Sequence, residues 1–280
     1  MIANTPTAWA LEPGYMRNLL ALSGGTFPTS LNRNPVAPTF KRGIAVISIE
    51  GMLFQRDLAD LKQTLEQCVA DPQIGGIMLD LDTPGGTVSG TPEAAATVLA
   101  ARQKKPVYGF VSGICASAGY WIGSACTKLY ATQSASVGSI GVFTTHVDES
   151  KALANAGYAI EYVAAGKHKT DGNSLGPMGA EARAFVQSQI NDIYTGFVNS
   201  VAKGRGVPAL SVRSGFGQGR CLLAKHSLDA GMIDGVCSRT EVIRRLQAEA
   251  QRPGTARQFD AFTKQLGFAS RERALRLLGG

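Results

Sequence analysis

The run VYGFVSGICASAGYWI, Val107 to Ile122, decides how the rest of the chain is read. Its first half (Val107, Tyr108, Phe110, Val111) is apolar and β-prone. It passes through Cys115-Ala116-Ser117-Ala118-Gly119 into a second apolar segment with helical character. A strand feeding a helix through a small-residue turn leaves the first helical N–H groups without partners and pointing outward. Such a turn suits a nucleophile whose attack creates an oxyanion. Ser117 stands at that turn.

Upstream, residues 44–49 (Ile-Ala-Val-Ile-Ser-Ile) read as a strand, and Leu58, Leu61, Leu65 and Val69 mark one face of a helix ending at Asp71-Pro72. Residues 76–82 (GIMLDLD) read as a buried parallel strand. It runs into Thr83-Pro84-Gly85-Gly86-Thr87, then into Thr91 and Pro92, which predict a helix with Thr91 as N-cap. Downstream, strands are expected at 128–132, 142–147 and 160–164. Helices are expected at 149–155 and 180–203, the latter with Phe185, Ile190, Ile193, Phe197 and Val201 on one face, followed by a short strand–helix unit at 221–236. Alternating strands and helices over 43–236 predict a single α/β domain with a parallel sheet covered by helices. Residues 1–42, rich in Pro, Asn, Thr and Ser, read as an N-terminal arm with a helix at 13–22. Residues 239–280 read as a basic tail of two helical halves, 240–251 and 256–278, split at Arg252-Pro253-Gly254. The expected division is therefore 1–42, 43–238 and 239–280.

Composition fits an ordinary globular enzyme, with 44% hydrophobic and 18% charged residues among 280. The 33 glycines cluster in turns between elements. Five cysteines without a CxxC pair argue against a disulfide framework or a zinc site and for a reducing, cytoplasmic setting. No apolar run reaches the ~18 residues of a membrane span, and no secretory signal is evident at the N-terminus. The net charge of +7 is uneven: nine basic residues against four acidic ones after Cys237 and Ser238 put +5 in the last 42 positions. That excess suits docking on an acidic partner, or a solvated helix.

Three constellations compete for the chemistry. The first joins Ser117 to a lysine base. At its ordinary pKa only about one lysine in a thousand is neutral near pH 7.4, a handicap of about 4 kcal/mol that burial can remove. Of eleven lysines, Lys169 lies in Gly166-Lys167-His168-Lys169-Thr170-Asp171-Gly172, after the apolar run 160–165, where α/β folds place catalytic groups. The second is a histidine arrangement: His168 adjoins Lys169, Asp171 could orient it, and Cys115 lies two residues from Ser117, although no GxSxG elbow is present. The third, phosphate binding at Gly85-Gly86, lacks both GxGxxG and a P-loop. A Gly-Gly pair after a strand is instead a tight turn, or a place where backbone N–H comes close to a ligand.

Five ordered blocks resemble the signal peptide peptidase A family of serine–lysine peptidases, and more closely its phage head (capsid assembly) protease branch. They are Leu81 to Gly86, Cys115 to Gly119, Gly138-Ser139-Ile140-Gly141-Val142, Gly166 to Asn173, and Gly219-Arg220 through Asp234, together spanning about 43–238. The resemblance implies Ser117 as nucleophile and Lys169 rather than Lys167 as general base. It places the oxyanion between the N–H groups of Gly86 and Ala118, with Ser139 orienting the lysine. It also implies a crotonase/Clp protease-like superhelical parallel sheet, a homo-oligomer, a scaffold or capsid protein as substrate, and neither cofactor nor metal. Read alone, the sequence is expected to carry neither the membrane anchor of bacterial signal peptide peptidases nor the long C-terminal scaffold extension of some phage members. A cytoplasmic signal-peptide-peptidase-like protease degrading peptide or membrane-protein fragments, a crotonase-like acyl-CoA enzyme and an inactive structural relative stand as the alternatives, the last opposed by the presence of both Ser117 and Lys169.

Overall fold

In the computed structural model, residues 9–11, 38–41 and 43–251 are described. The helices expected at 13–22 and 256–278 lie outside them. The architecture is α/β, with a mainly parallel sheet and covering helices. The sheet's main path runs β10-β7-β6-β4-β3-β2. It is built from β2 (Thr39–Lys41), β3 (Ile44–Glu50), β4 (Gly76–Thr83), β6 (Val107–Ala116), β7 (Lys128–Ala131) and β10 (Gly235–Val236). All neighbours on this path are parallel except the edge pair β2–β3. Past Val111 the far end of β6 changes partner and pairs in parallel with β8 (Ser136–Gly138), which pairs antiparallel with β9 (Cys221–Leu223). The chain's first described residues, β1 (Trp9–Leu11), lie antiparallel on β5 (Gly85–Thr87).

Strand alternation explains why the central strands read as continuous apolar runs. Ala45, Ile47 and Ile49 of β3, with Ile77, Leu79 and Leu81 of β4, belong to the main core. Ile44 and Val46, with Met78, Tyr108 and Phe110, face the other way into a second, smaller core. Side chains of period two thus fill both faces, as parallel sheets require. The main core is covered by α1 (Gln55–Ala70), α2 (Thr91–Ala101), α3 (Ala118–Gly123) and the second half of α5 (Ala180–Arg205). Leu58, Leu61, Leu65 and Cys68 form the buried stripe of α1, each leucine contributing about 2 kcal/mol. The second core is closed by α8 (Arg239–Ala250) through Val242 and Leu246. The first half of the expected basic tail is therefore a packed layer. Its Arg239 bonds Asp80 at 2.6 Å, and Arg244 and Arg245 both pair with Glu241.

Four local expectations are corrected. Residues 142–147 and 160–164 form no strands: of the first only Phe143 bridges another segment, and the second runs along the surface with Val163 97% exposed. Alternation alone cannot make a strand without an edge to pair with. Thr91 is not the N-cap of α2. Gly90 holds that position in a left-handed conformation (φ 91°), while the Thr91 hydroxyl donates back to the Thr87 carbonyl at 2.8 Å. Finally, Phe185 in the first half of α5 is exposed; apart from Ala182, its buried side chains are Phe197, Val198, Val201 and Ala202. The remaining elements are α4 (Ser150–Asn155), α6 (Ala209–Gly215) and α7 (Ala224–Asp229).

Candidate active site

β6 ends at Ala116 and α3 begins at Ala118, so Ser117 is the single residue of the turn between them. Its backbone is strained, at φ 54° and ψ −116°, a region costing a non-glycine residue on the order of 1–3 kcal/mol. The sequence lacks the GxSxG signature, yet the geometry is that of a sharp strand-to-helix elbow. The turn is held from both sides: the Ser117 N–H donates to the Gly138 carbonyl at 2.8 Å, and its own carbonyl accepts from Trp121 N–H at 2.8 Å. The side chain is fully buried, and its Oγ has no hydrogen-bond partner among the described residues. A buried hydroxyl left unpaired costs stability, and such groups are concentrated where chemistry needs them.

Beneath the serine, the Pro84-Gly85-Gly86 turn is shaped by contacts that admit no side chain. A β-carbon on Gly85 (φ 102°) would lie 2.2 Å from the Ala10 carbonyl oxygen and 2.9 Å from Ser117 Cβ. One on Gly86 would lie 1.9 Å from the Leu53 carbonyl oxygen. The Thr83 hydroxyl fixes the approach, donating to the Gly51 carbonyl at 2.6 Å and accepting from Gly85 N–H at 3.1 Å. Leu53 N–H bonds the Gly85 carbonyl, and Thr87 N–H bonds the Leu53 carbonyl. Backbone groups alternate along a strand, so the N–H and C=O of Gly86 point away from Leu53, towards its antiparallel partner Ala10 in β1. Ala118, first residue of α3, contributes an N–H of the kind a helix start leaves unpaired. Gly119 lets this helix sit close on β4, since a β-carbon there would meet Thr83 Cγ2 at 2.4 Å.

Ser139 repeats the geometry of Ser117 on the adjacent strand. Ala116 and Gly138 are paired, and each is followed by a serine at φ 54°. The Ser139 N–H donates to the Arg220 carbonyl at 3.0 Å, so the Gly219–Asp234 unit supports this turn. Asp234 closes that unit, bound by Arg205 at 2.7 Å and by Leu129 N–H at 2.8 Å.

The lysine loop stands apart. Local turns hold residues 166–175 (Lys169 N–H to Gly166 C=O at 3.1 Å, Leu175 N–H to Asn173 Oδ1 at 2.8 Å), and Lys169 is exposed. Lys167 is committed to Glu181 at 2.6 Å, whereas no ion pair engages Lys169 among the described residues. Within one chain, then, Ser117 and Lys169 are not joined. The histidine alternative is not assembled either. His168 pairs with Asp171 at 2.9 Å in the same exposed loop. Burial pushes the Cys115 thiol well above its ordinary pKa, which leaves it a protonated core residue rather than a nucleophile.

Sequence reasoning passed over one buried cation. Lys105, before β6, donates from Nζ to the carbonyls of Cys68 (2.8 Å) and Asp71 (2.5 Å) and closes the end of α1. Burial pulls its pKa down to about 8. It sits at the opposite end of the ten-residue strand β6 from Ser117, roughly 30 Å away at a strand's rise per residue. Its role is structural. Thr83, Leu53 and Phe143 were also missed as parts of the cleft; the Pro-Gly-Gly turn was the one signal that backbone crowds together there.

A strained serine on a strand-to-helix elbow over paired glycines is an arrangement for acyl transfer through an oxyanion. The model of Peptidase family S49 matches residues 100–252, more than half of the chain, and the chain belongs to that family. It is 31% identical over 234 residues to the head-tail preconnector protein GP5 of Enterobacteria phage P21, covering 79% of this chain and 45% of that protein. It is 31% identical over 212 residues to capsid assembly protease C of Escherichia phage lambda, covering 72% and 48%. A putative signal peptide peptidase SppA of Enterococcus faecium is 27% identical over 217 residues, covering 74% and 61%. The chain spans about half the length of the two phage relatives. No helix among the described residues is long and apolar enough to cross a membrane.

Proposed function

We propose that this chain is a serine endopeptidase with a Ser117–Lys169 dyad, cleaving scaffold or capsid proteins during phage or prophage head assembly. Ser117 Oγ attacks the scissile carbonyl while neutral Lys169 takes its proton and passes it to the leaving amine; the same amine then activates water for deacylation. The N–H groups of Gly86 and Ala118 hold the oxyanion, each worth about 3 kcal/mol. The observation that carries this reading is the unpaired, buried Ser117 hydroxyl on a strained turn beside the inward-facing N–H of Gly86.

Because Lys169 lies outside hydrogen-bonding reach of Ser117 within one chain, the dyad is completed between copies in a homo-oligomer, with Ser139 orienting the incoming amine. Two features support an assembled state: the loop leading to Lys169 exposes Tyr158, Ile160, Tyr162 and Val163, and Phe185 is exposed on the helix that follows. Burial of such a surface would also supply the dry setting a neutral lysine needs. The two phage relatives carry the head-assembly assignment by their names. An acidic partner would meet residues 252–280, since the three arginines of α8 already have carboxylates. Co-expression with a candidate scaffold tests the reading: wild type cleaves it, while folded Ser117→Ala and Lys169→Ala leave it intact. Cleavage by Ser117→Ala would overturn the assignment.

A further inference from the structure

The cleft beside Ser117 holds a strand of this same chain. Trp9, Ala10 and Leu11 pair antiparallel with Thr87, Gly86 and Gly85. On the other side, Trp9 N–H donates to the Phe143 carbonyl at 2.9 Å and Phe143 N–H to the Trp9 carbonyl at 3.1 Å. Since both polar groups of Trp9 are spent on Phe143, those of Ala10 must face the other way, towards its partner Gly86. Gly86 in turn spends nothing on Leu53, whose bonds go to Gly85 and Thr87. The Ala10 carbonyl and the Gly86 N–H therefore face each other. Ser117 is close by: Ala10 O and Ser117 Cβ both lie within 3 Å of the point a Gly85 β-carbon would occupy, which puts them within about 5 Å of each other. The Ala10 side chain is fully buried, in a space that takes a methyl group.

We infer that residues 9–11 are bound as a substrate strand, and that the enzyme cleaves its own arm between Ala10 and Leu11. This rests on Ser117 being the nucleophile. The Ala10 carbonyl occupies the place of the acyl group, with Gly86 N–H positioned for its oxygen. Ser117 Oγ bonds to the Ala10 carbonyl carbon as the Ala10–Leu11 C–N bond breaks, and the serine proton passes through Lys169 to the Leu11 amine. Water then hydrolyses the ester, releasing an Ala10 carboxylate and restoring Ser117. Before that step the arm fills the cleft and excludes other chains; after it, the cleft is open. The same cleft selects protein substrates that present an extended strand with alanine or another small residue before the cut.

Intact-mass and N-terminal analysis of the purified protein, with scaffold cleavage measured alongside, tests this. Wild type should yield a chain starting at Leu11 and Ser117→Ala should keep the arm; Ala10→Trp, whose ring the fully buried Ala10 site cannot take, should undock the arm, leave it uncut and leave the cleft open to cleave scaffold. Wild type that cleaves scaffold yet retains residues through Ala10, or is cut at another bond of the arm, would overturn self-cleavage and leave the Ser117 reading standing. A Ser117→Ala chain that still starts at Leu11 would overturn both.

Discussion

Ser117 and Ser139 leave neighbouring parallel strands side by side, each one residue past the paired Ala116 and Gly138 and each at φ 54°. Two strained serines thus stand at the same level of one sheet. Only one of them, Ser117, is buried without a hydrogen-bond partner.

This pairing separates a hydroxyl's role from a backbone's. Ser139→Ala keeps the strained φ without the hydroxyl, and Ser139→Gly removes both. If Ser139 positions the lysine, both variants should lose kcat by a similar factor, roughly 10- to 100-fold, and shift the acidic limb of the kcat/KM profile. The glycine variant should be more stable than the alanine one by about 1 kcal/mol. Loss of activity in the alanine variant alone would place the effect in the backbone.

Gly86→Ala should be inactive. Its new β-carbon would lie 1.9 Å from the Leu53 carbonyl oxygen, so the turn must move and carry the inward N–H with it. Removing one oxyanion donor costs about 100-fold or more in kcat. The expected result is loss of peptide cleavage with the far-ultraviolet circular dichroism of wild type. Unchanged kcat would show that this N–H takes no part.

Mixing Ser117→Ala with Lys169→Ala subunits tests whether the dyad spans two copies. Neither should be active alone. With random association in a closed ring, about a quarter of the sites would join an intact serine to an intact lysine from its neighbour. Activity should return on mixing under conditions that exchange subunits. If no activity returns although mixed oligomers form, the shared dyad is wrong.

Alkaline pH should weaken the fold through its buried thiols. Burial raises the Cys126 pKa to about 12 and that of Cys115 well above the usual value near 9. Both groups keep their protons in the folded state after the unfolded chain has lost them. Their stabilising contribution is therefore complete below pH 9; that of Cys126 is lost as pH rises from 9 towards 12, by up to about 1.4 kcal/mol per pH unit, and that of Cys115 falls in the same direction. Denaturant midpoints measured from pH 8 to 10.5 should fall, and fall less steeply in Cys126→Ala.

The layers of the fold could be read from the chain because strands buried on both faces and a helix with a buried stripe leave unambiguous patterns; Ile44 to Ile49 and Leu58 to Cys68 are examples. The Gly85-Gly86 pair was equally legible as a place where backbone crowds, though not what it crowds against. Three things were hidden. Ser117 carries a positive φ that its residue type does not announce. Trp9 to Leu11 is too short for periodicity, and its pairing depends on a cleft assembled from residues more than 70 positions away. The runs at 142–147 and 160–164 alternate like strands, yet a strand exists only where a partner edge does. The basic stretch from Arg239 looked like a solvated tail because its charges outnumber Val242 and Leu246, the two side chains that dock it.

The most direct measurement is peptide mapping after reaction of the assembled enzyme with a fluorophosphonate. The account predicts one adduct, on Ser117, formed far more slowly in Lys169→Ala. An adduct on another residue, or equal labelling of Ser117 with and without Lys169, would contradict it.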